Sequence, residues 1–137
     1  MRFANDMCIE EKNVKEYEVD VMEYTEGYLA FLDILGFSKF VENEKNGQAT
    51  ADLFKFVEWF GDFFNKDSKH KVNVSFFSDT IIITSEEFQG LNMPIFLAEH
   101  YLRNNLGLLF RGSVVYGKYY HENGTTFGAA VVSAYKL

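Results

Sequence analysis

Two aspartates stand where an acid needs a reason. Asp33 interrupts the apolar run Tyr28-Leu29-Ala30-Phe31-Leu32-Asp33-Ile34-Leu35, and Asp79 follows Ser78 between two strand-like stretches. A buried carboxylate without a partner is penalised by several kcal/mol, so Asp33 must cap a helix, bond to nearby backbone or hold a cation. Asp79 alone is ordinary, because aspartate is a common turn residue. The pair is more informative than either member. If the two strands end at one rim of a sheet, both acids become hard oxygen ligands suited to Mg²⁺ or Mn²⁺. Two such ions, about 3.5–4 Å apart, clamp the attacking and leaving oxygens of a phosphoryl displacement. Directly after Asp33, the segment Gly36-Phe37-Ser38 reads as a turn into a helix start, where main-chain amides favour phosphate.

Other chemistry-bearing residues carry two readings or a bland one. Arg111, within an apolar stretch, is either a structural ion-pair partner or a phosphate-facing cation. Lys136 is a solvated helix residue unless a partner's phosphates lie beneath it. His70, His100 and His121 lack metal-ligand spacing and read as surface or packing histidines. No nucleophile-elbow motif supports Ser-His-Asp catalysis. Cys8 is the only cysteine, which excludes an intrachain disulfide and reads as an incidental thiol in a reducing compartment.

The elements that must position these residues follow from the hydrophobic pattern. The Asp33 run is the pattern of a strand covered on both faces. Phe37 to Val41 starts a helix with Ser38 near its cap. Thr50 to Phe64 predicts a helix burying Leu53, Phe54, Val57, Phe60, Phe63 and Phe64, so this Phe-rich stretch reads as core. Val72 to Phe77 and Thr80 to Thr84 predict a hairpin with Asp79 at its tip. Pro94 opens a helix through Leu106 that offers Ile95, Leu97, Ala98, Tyr101 and Leu102 for packing. Leu108 to Gly117 predicts a strand that can continue to His121 and a turn at Glu122-Asn123-Gly124. Ala129 to Leu137 begins a last helix. The expected fold is α+β: a mainly antiparallel sheet with helices packed on it.

At 137 residues the chain suits one domain, with 1–26 as a leader or edge strand and 27–137 as the folded unit. Hydrophobic residues make up 47% and aromatics 18%, enough for a packed core. A formal charge of −7 disfavours a surface that tracks DNA or RNA, yet suits one nucleotide held through metal ions. There is no run of 18 apolar residues, and the first 20 are too charged for a secretory signal, so the expectation is a cytoplasmic protein without a membrane span.

Phe31-Leu32-Asp33-Ile34-Leu35-Gly36-Phe37-Ser38 resembles the "F-x-D-I-x-G-F-[ST]" motif that opens class III nucleotidyl cyclase domains. Phe77-Ser78-Asp79, 46 positions on, resembles that family's second metal motif, normally Gly-Asp. Arg111 to Gly117, Asn123-Gly124 and Phe127 to Leu137 look like the family's closing segment. The resemblance implies a ferredoxin-like cyclase fold. It also implies that Asp33, Asp79 and the Ile34 carbonyl hold two metal ions, and that Gly36, Phe37 and Ser38 cradle phosphates. The ribose 3′-hydroxyl of a nucleoside triphosphate would attack its own α-phosphate and expel diphosphate. Active sites would lie across a homodimer interface.

Departures bear on the substrate. The purine-reading Lys and Asp of adenylyl cyclases are replaced by Ser75 and Thr125, the ribose-orienting Asn by Val132, and the transition-state Arg by Lys136. In this the chain is similar to the Pycsar pyrimidine cyclases of bacterial anti-phage defence. That similarity implies UTP ahead of CTP as substrate, with Ser75 and Thr125 lining the base pocket and Lys136 and Arg111 assisting catalysis; a pyrimidine ring also suits a pocket that Phe37 and Phe77 are expected to narrow. The product, cyclic UMP or cyclic CMP, would act on a cyclic-nucleotide-responsive effector.

Overall fold

The computed structural model describes residues 23–44, 46–65, 72–122 and 124–137. Cys8, His70, Asn123 and the expected leader through Met22 lie outside the described residues. Among the described residues five strands run in the order β1 (Thr25–Leu35), β2 (Asn73–Phe77), β3 (Thr80–Ser85), β4 (Leu109–Glu122) and β5 (Thr125–Phe127). The α-helices described among them are α1 (Phe37–Glu42), α2 (Gln48–Asn65), α3 (Asn92–Leu106) and α4 (Ala129–Lys136). The sheet order is β2-β3-β1-β4-β5, and each neighbouring pair is antiparallel. The architecture is α+β, as the pattern predicts. Among the described residues no helix is long and apolar enough to cross a membrane.

Strand β1 is central because it is apolar on both faces. Ala30, Leu32 and Ile34 point into the main core with Leu53, Phe56, Phe60 and Phe64 of α2 and Ala98 and Leu102 of α3. Leu29 and Phe31 point the other way, onto Ala130 and Ala134 of α4, Ile82 and Tyr119. Small residues at four-residue spacing let α4 approach this second face closely. Strand β1 begins at Thr25, two residues inside the expected leader, and its ladder to β4 runs unbroken from Thr25↔Tyr119 to Leu35↔Leu109.

Helix α2 buries a different stripe from the expected one. Phe54 and Phe63 are 60% and 54% exposed, while Phe56 takes the inward place and stacks on Tyr101 of α3 at 4.2 Å. The stretch offers two apolar stripes at helical spacing. Leu53, Phe56, Phe60 and Phe64 fit the sheet, and Phe63 stacks on exposed Trp59 instead. The Phe-rich segment is therefore only partly core. Asn46 and Glu44 accept hydrogen bonds from the Gln48 and Thr50 amides at its start.

Candidate functional site

Asp33 sits on the α4 side of the sheet near the end of β1, and its Cα partners are Thr80 on β3 and Arg111 on β4. Asp79 occupies the two-residue tip between Phe77 and Thr80, which face each other in the β2–β3 ladder. Ser78 supplies the positive φ, 55°, that the tight turn requires. The Ile34 amide donates to the Asp79 carbonyl at 2.8 Å, so the main chains carrying the two acids touch. Both aspartates therefore belong to one rim of the sheet. Among the described residues no group of three or more His, Cys, Asp or Glu side chains converges on a point. The candidate metal donors are two carboxylates and a carbonyl, chemically the hard oxygen set that Mg²⁺ and Mn²⁺ take.

Asp33 opens into a cleft of about 540 Å³ between β1, β4 and the last turn of α4. Arg111 and Lys136 line the same cleft, with Phe31, Ser113 and Tyr135. The Arg111 Nε lies 3.7 Å from Asp33 Oδ2, and the two side chains are 75% and 32% exposed. An ion pair this open contributes at most about 1 kcal/mol, and its cation is free to swing toward an anion. Arg111 thus pairs with an acid and lines the cleft. Asp79 is outside the lining and adjoins it through the Ile34 contact.

The wall of this cleft depends on Ser113, whose hydroxyl donates to the Ala134 carbonyl at 2.8 Å and so ties the last turn of α4 to β4. Ser113→Ala is expected to remove about 1 kcal/mol of stability and to speed hydrogen exchange in α4 ahead of the main core. Thermal melts together with amide exchange check this; unchanged exchange in α4 would contradict the anchoring role.

Other expected site residues are placed apart from the cleft. Gly36, not Ser38, is the N-cap of α1: it holds φ 74°, a left-handed conformation that glycine adopts without a Cβ penalty. Ser38 lies within the first turn, and no side chain caps the six-residue helix. Phe37 packs against the main core, on the face away from the cleft, so it does not narrow the cleft. Phe77 is 80% exposed beside the hairpin tip.

Ser75 is buried, and its hydroxyl shares a hydrogen bond of 2.7 Å with Thr126, not Thr125. Alternation along β5 turns Thr126 inward and leaves Thr125 exposed. His121 joins them through Nδ1, 2.7 Å from Thr126 Oγ1. The far end of β4 and its hairpin with β5 thus reach across the sheet to β2. This cluster escapes a sequence reading that treats His121 as an isolated histidine, because its partners are 46 and 5 positions away. Serine and threonine inside otherwise apolar strands were the available signal.

Burial holds the His121 pKa below its ordinary value of 6.5, which favours the neutral ring in the fold, where Nδ1 shares a hydrogen bond with the Thr126 hydroxyl. The unfolded chain takes up the proton more readily. The resulting stability is present above the unfolded pKa and is lost as pH falls through it toward the folded pKa. Urea midpoints between about pH 8 and about pH 5 are expected to fall on acidification, and His121→Gln to flatten that slope. An identical slope in the variant would contradict it.

No family model and no curated protein matches this chain.

Proposed function

We propose that this chain is a class III-type nucleotidyl cyclase domain that converts a pyrimidine nucleoside triphosphate, UTP ahead of CTP, into its 3′,5′-cyclic monophosphate and diphosphate. The observation that carries the proposal is the joining of two distant acids at one rim, through the Ile34–Asp79 contact and the Asp33↔Thr80 register. The strand order β2-β3-β1-β4, with a helix after β1 and another after β3, supports a ferredoxin-like cyclase sheet.

Divalent cations held by Asp33, Asp79 and the Ile34 carbonyl would supply charge neutralisation at the reacting phosphate. The chain's own residues provide the rest. Arg111 on β4 and Lys136 on α4 both line the cleft and would present positive charge to the triphosphate. Lys136 does so as a point charge, without the bidentate fork of an arginine. The main-chain turn at Gly36 to Ser38 adjoins the acid rim and suits a phosphate oxygen. Catalysis is then mostly positioning, with the ribose 3′-hydroxyl held against the α-phosphate. Homodimerisation, Pycsar-type defence and a product-responsive effector belong to the same proposal.

A second reading is a nucleotide-binding or dimerisation module with impaired turnover. It is favoured by Val132, which is exposed on α4 and cannot orient a ribose, and by Lys136. Incubating the protein with each of the four common ribonucleoside triphosphates and Mn²⁺, then resolving the products by chromatography, separates the two. Cyclic UMP or cyclic CMP with diphosphate supports the cyclase. Metal-dependent nucleotide binding without turnover supports the module. Neither binding nor product would overturn both.

A further inference from the structure

The cleft carries ionic groups and an aromatic wall side by side. Asp33, Arg111 and Lys136 are its charges, and Phe31 and Tyr135 supply the rings. Tyr135 is 75% exposed even though its helix packs on the sheet through Ala130 and Ala134. Its contact with Phe31 is edge-to-face, with centroids 5.9 Å apart and planes at 75°. A T-shaped contact engages at most one face of a ring, so at least one face of Tyr135 is left open by it. Tyr135 and Lys136 are consecutive residues of a turn that Ser113 pins to β4, so ring and ammonium are held at one wall.

A ligand anionic at one end and flat at the other fits such a cleft. We infer that Tyr135 is the stacking platform for the heterocyclic base of the bound nucleotide, with Phe31 bracing the ring. This rests on the nucleotide reading of the cleft. The polar residues expected to meet the base are elsewhere: Ser75 is buried against Thr126, and Thr125 is outside the lining. Stacking tolerates any base, because every base has a π-face, so Tyr135 sets affinity rather than the choice between UTP and CTP.

Calorimetric titration with 3′-deoxy-UTP, which lacks the attacking hydroxyl, and with inorganic tripolyphosphate, which lacks a base, tests this in the presence of Mn²⁺. Tyr135→Ala is expected to weaken 3′-deoxy-UTP by about ten-fold and to leave tripolyphosphate unchanged, while Tyr135→Phe keeps both near wild type. Circular dichroism checks that each variant folds; the exposed ring makes a folding loss unexpected. Equal weakening of both ligands by Tyr135→Ala, or of neither, would overturn the platform. If the wild-type protein binds neither ligand, the proposed function fails first and the platform with it.

Discussion

Under the proposed reading, Asp33→Ala and Asp79→Ala each lower cyclisation of a pyrimidine nucleoside triphosphate by about a thousand-fold, or about 4 kcal/mol of transition-state stabilisation. Each carboxylate is one of two side-chain donors at the rim, and a lone remaining acid leaves a divalent cation weakly held. Asp33→Ala also releases Arg111, so the cleft gains net positive charge, which favours triphosphate while disfavouring the metal. Nucleotide affinity should therefore fall less than turnover. The fold should survive both changes. Asp33 is one-third exposed, and the rim contact runs from the Ile34 amide to the Asp79 main-chain carbonyl, which alanine keeps. Turnover measured beside circular dichroism decides the matter; wild-type rates in either folded variant would contradict the assignment.

Gly112→Ala is expected to have the largest effect on stability of any change near the cleft. Gly112 faces Leu32 in the β1–β4 ladder, and a Cβ there would run into the Phe31 carbonyl oxygen while lying 2.8 Å from Leu32 Cδ2 and 3.1 Å from Leu32 Cα. Two of those atoms are backbone in the central strand, so relief requires β1 and β4 to separate beside Asp33 and Arg111. Overpacking of this kind costs about 3 kcal/mol, a large fraction of the roughly 5–15 kcal/mol that holds a domain together. Gly117, in the same strand, is the control. Its added Cβ would meet Ala130 Cβ at 3.4 Å, so Gly117→Ala should shift stability by less than about 1 kcal/mol. Urea unfolding of the two variants compares them directly; equal losses would show that the β1–β4 approach is not the cause.

What the sequence reveals depends on whether one element can state its own case. The Tyr28 to Leu35 run is apolar on both faces apart from Asp33, so a doubly covered strand is the economical reading, and β1 has that position. The Ser78-Asp79 break between two alternating segments specifies a hairpin and hence the location of Asp79. Those two inferences already place both acids at strand ends. Which ends meet is a matter of sheet order, and no local pattern encodes that β3 and β4 flank β1.

Other features were hidden for related reasons. Helix α2 carries enough aromatic residues for two apolar stripes, and only its docking on the sheet separates buried Phe56 from exposed Phe54 and Phe63. Ser38 is a fair cap by type, but the left-handed Gly36 takes the chain into α1 two residues earlier. Strand β5 is three residues long, too short to show alternation, so the inward turn of Thr126 could not be told from that of Thr125. Tyr135 was invisible as a site residue because a tyrosine on a short terminal helix acquires meaning only when Asp33, Arg111 and Lys136 surround the same cleft.

If this chain is a cyclase, Asp33 and Asp79 grip divalent metal together at one rim of the sheet. Paramagnetic broadening of the amide NMR signals by substoichiometric Mn²⁺, with 3′-deoxy-UTP present, tests it most directly. The signals of Asp33, Ile34, Gly36, Asp79 and Thr80 are expected to broaden first, and Asp33→Ala or Asp79→Ala to abolish the effect. Broadening centred elsewhere, or unchanged in both variants, would contradict it.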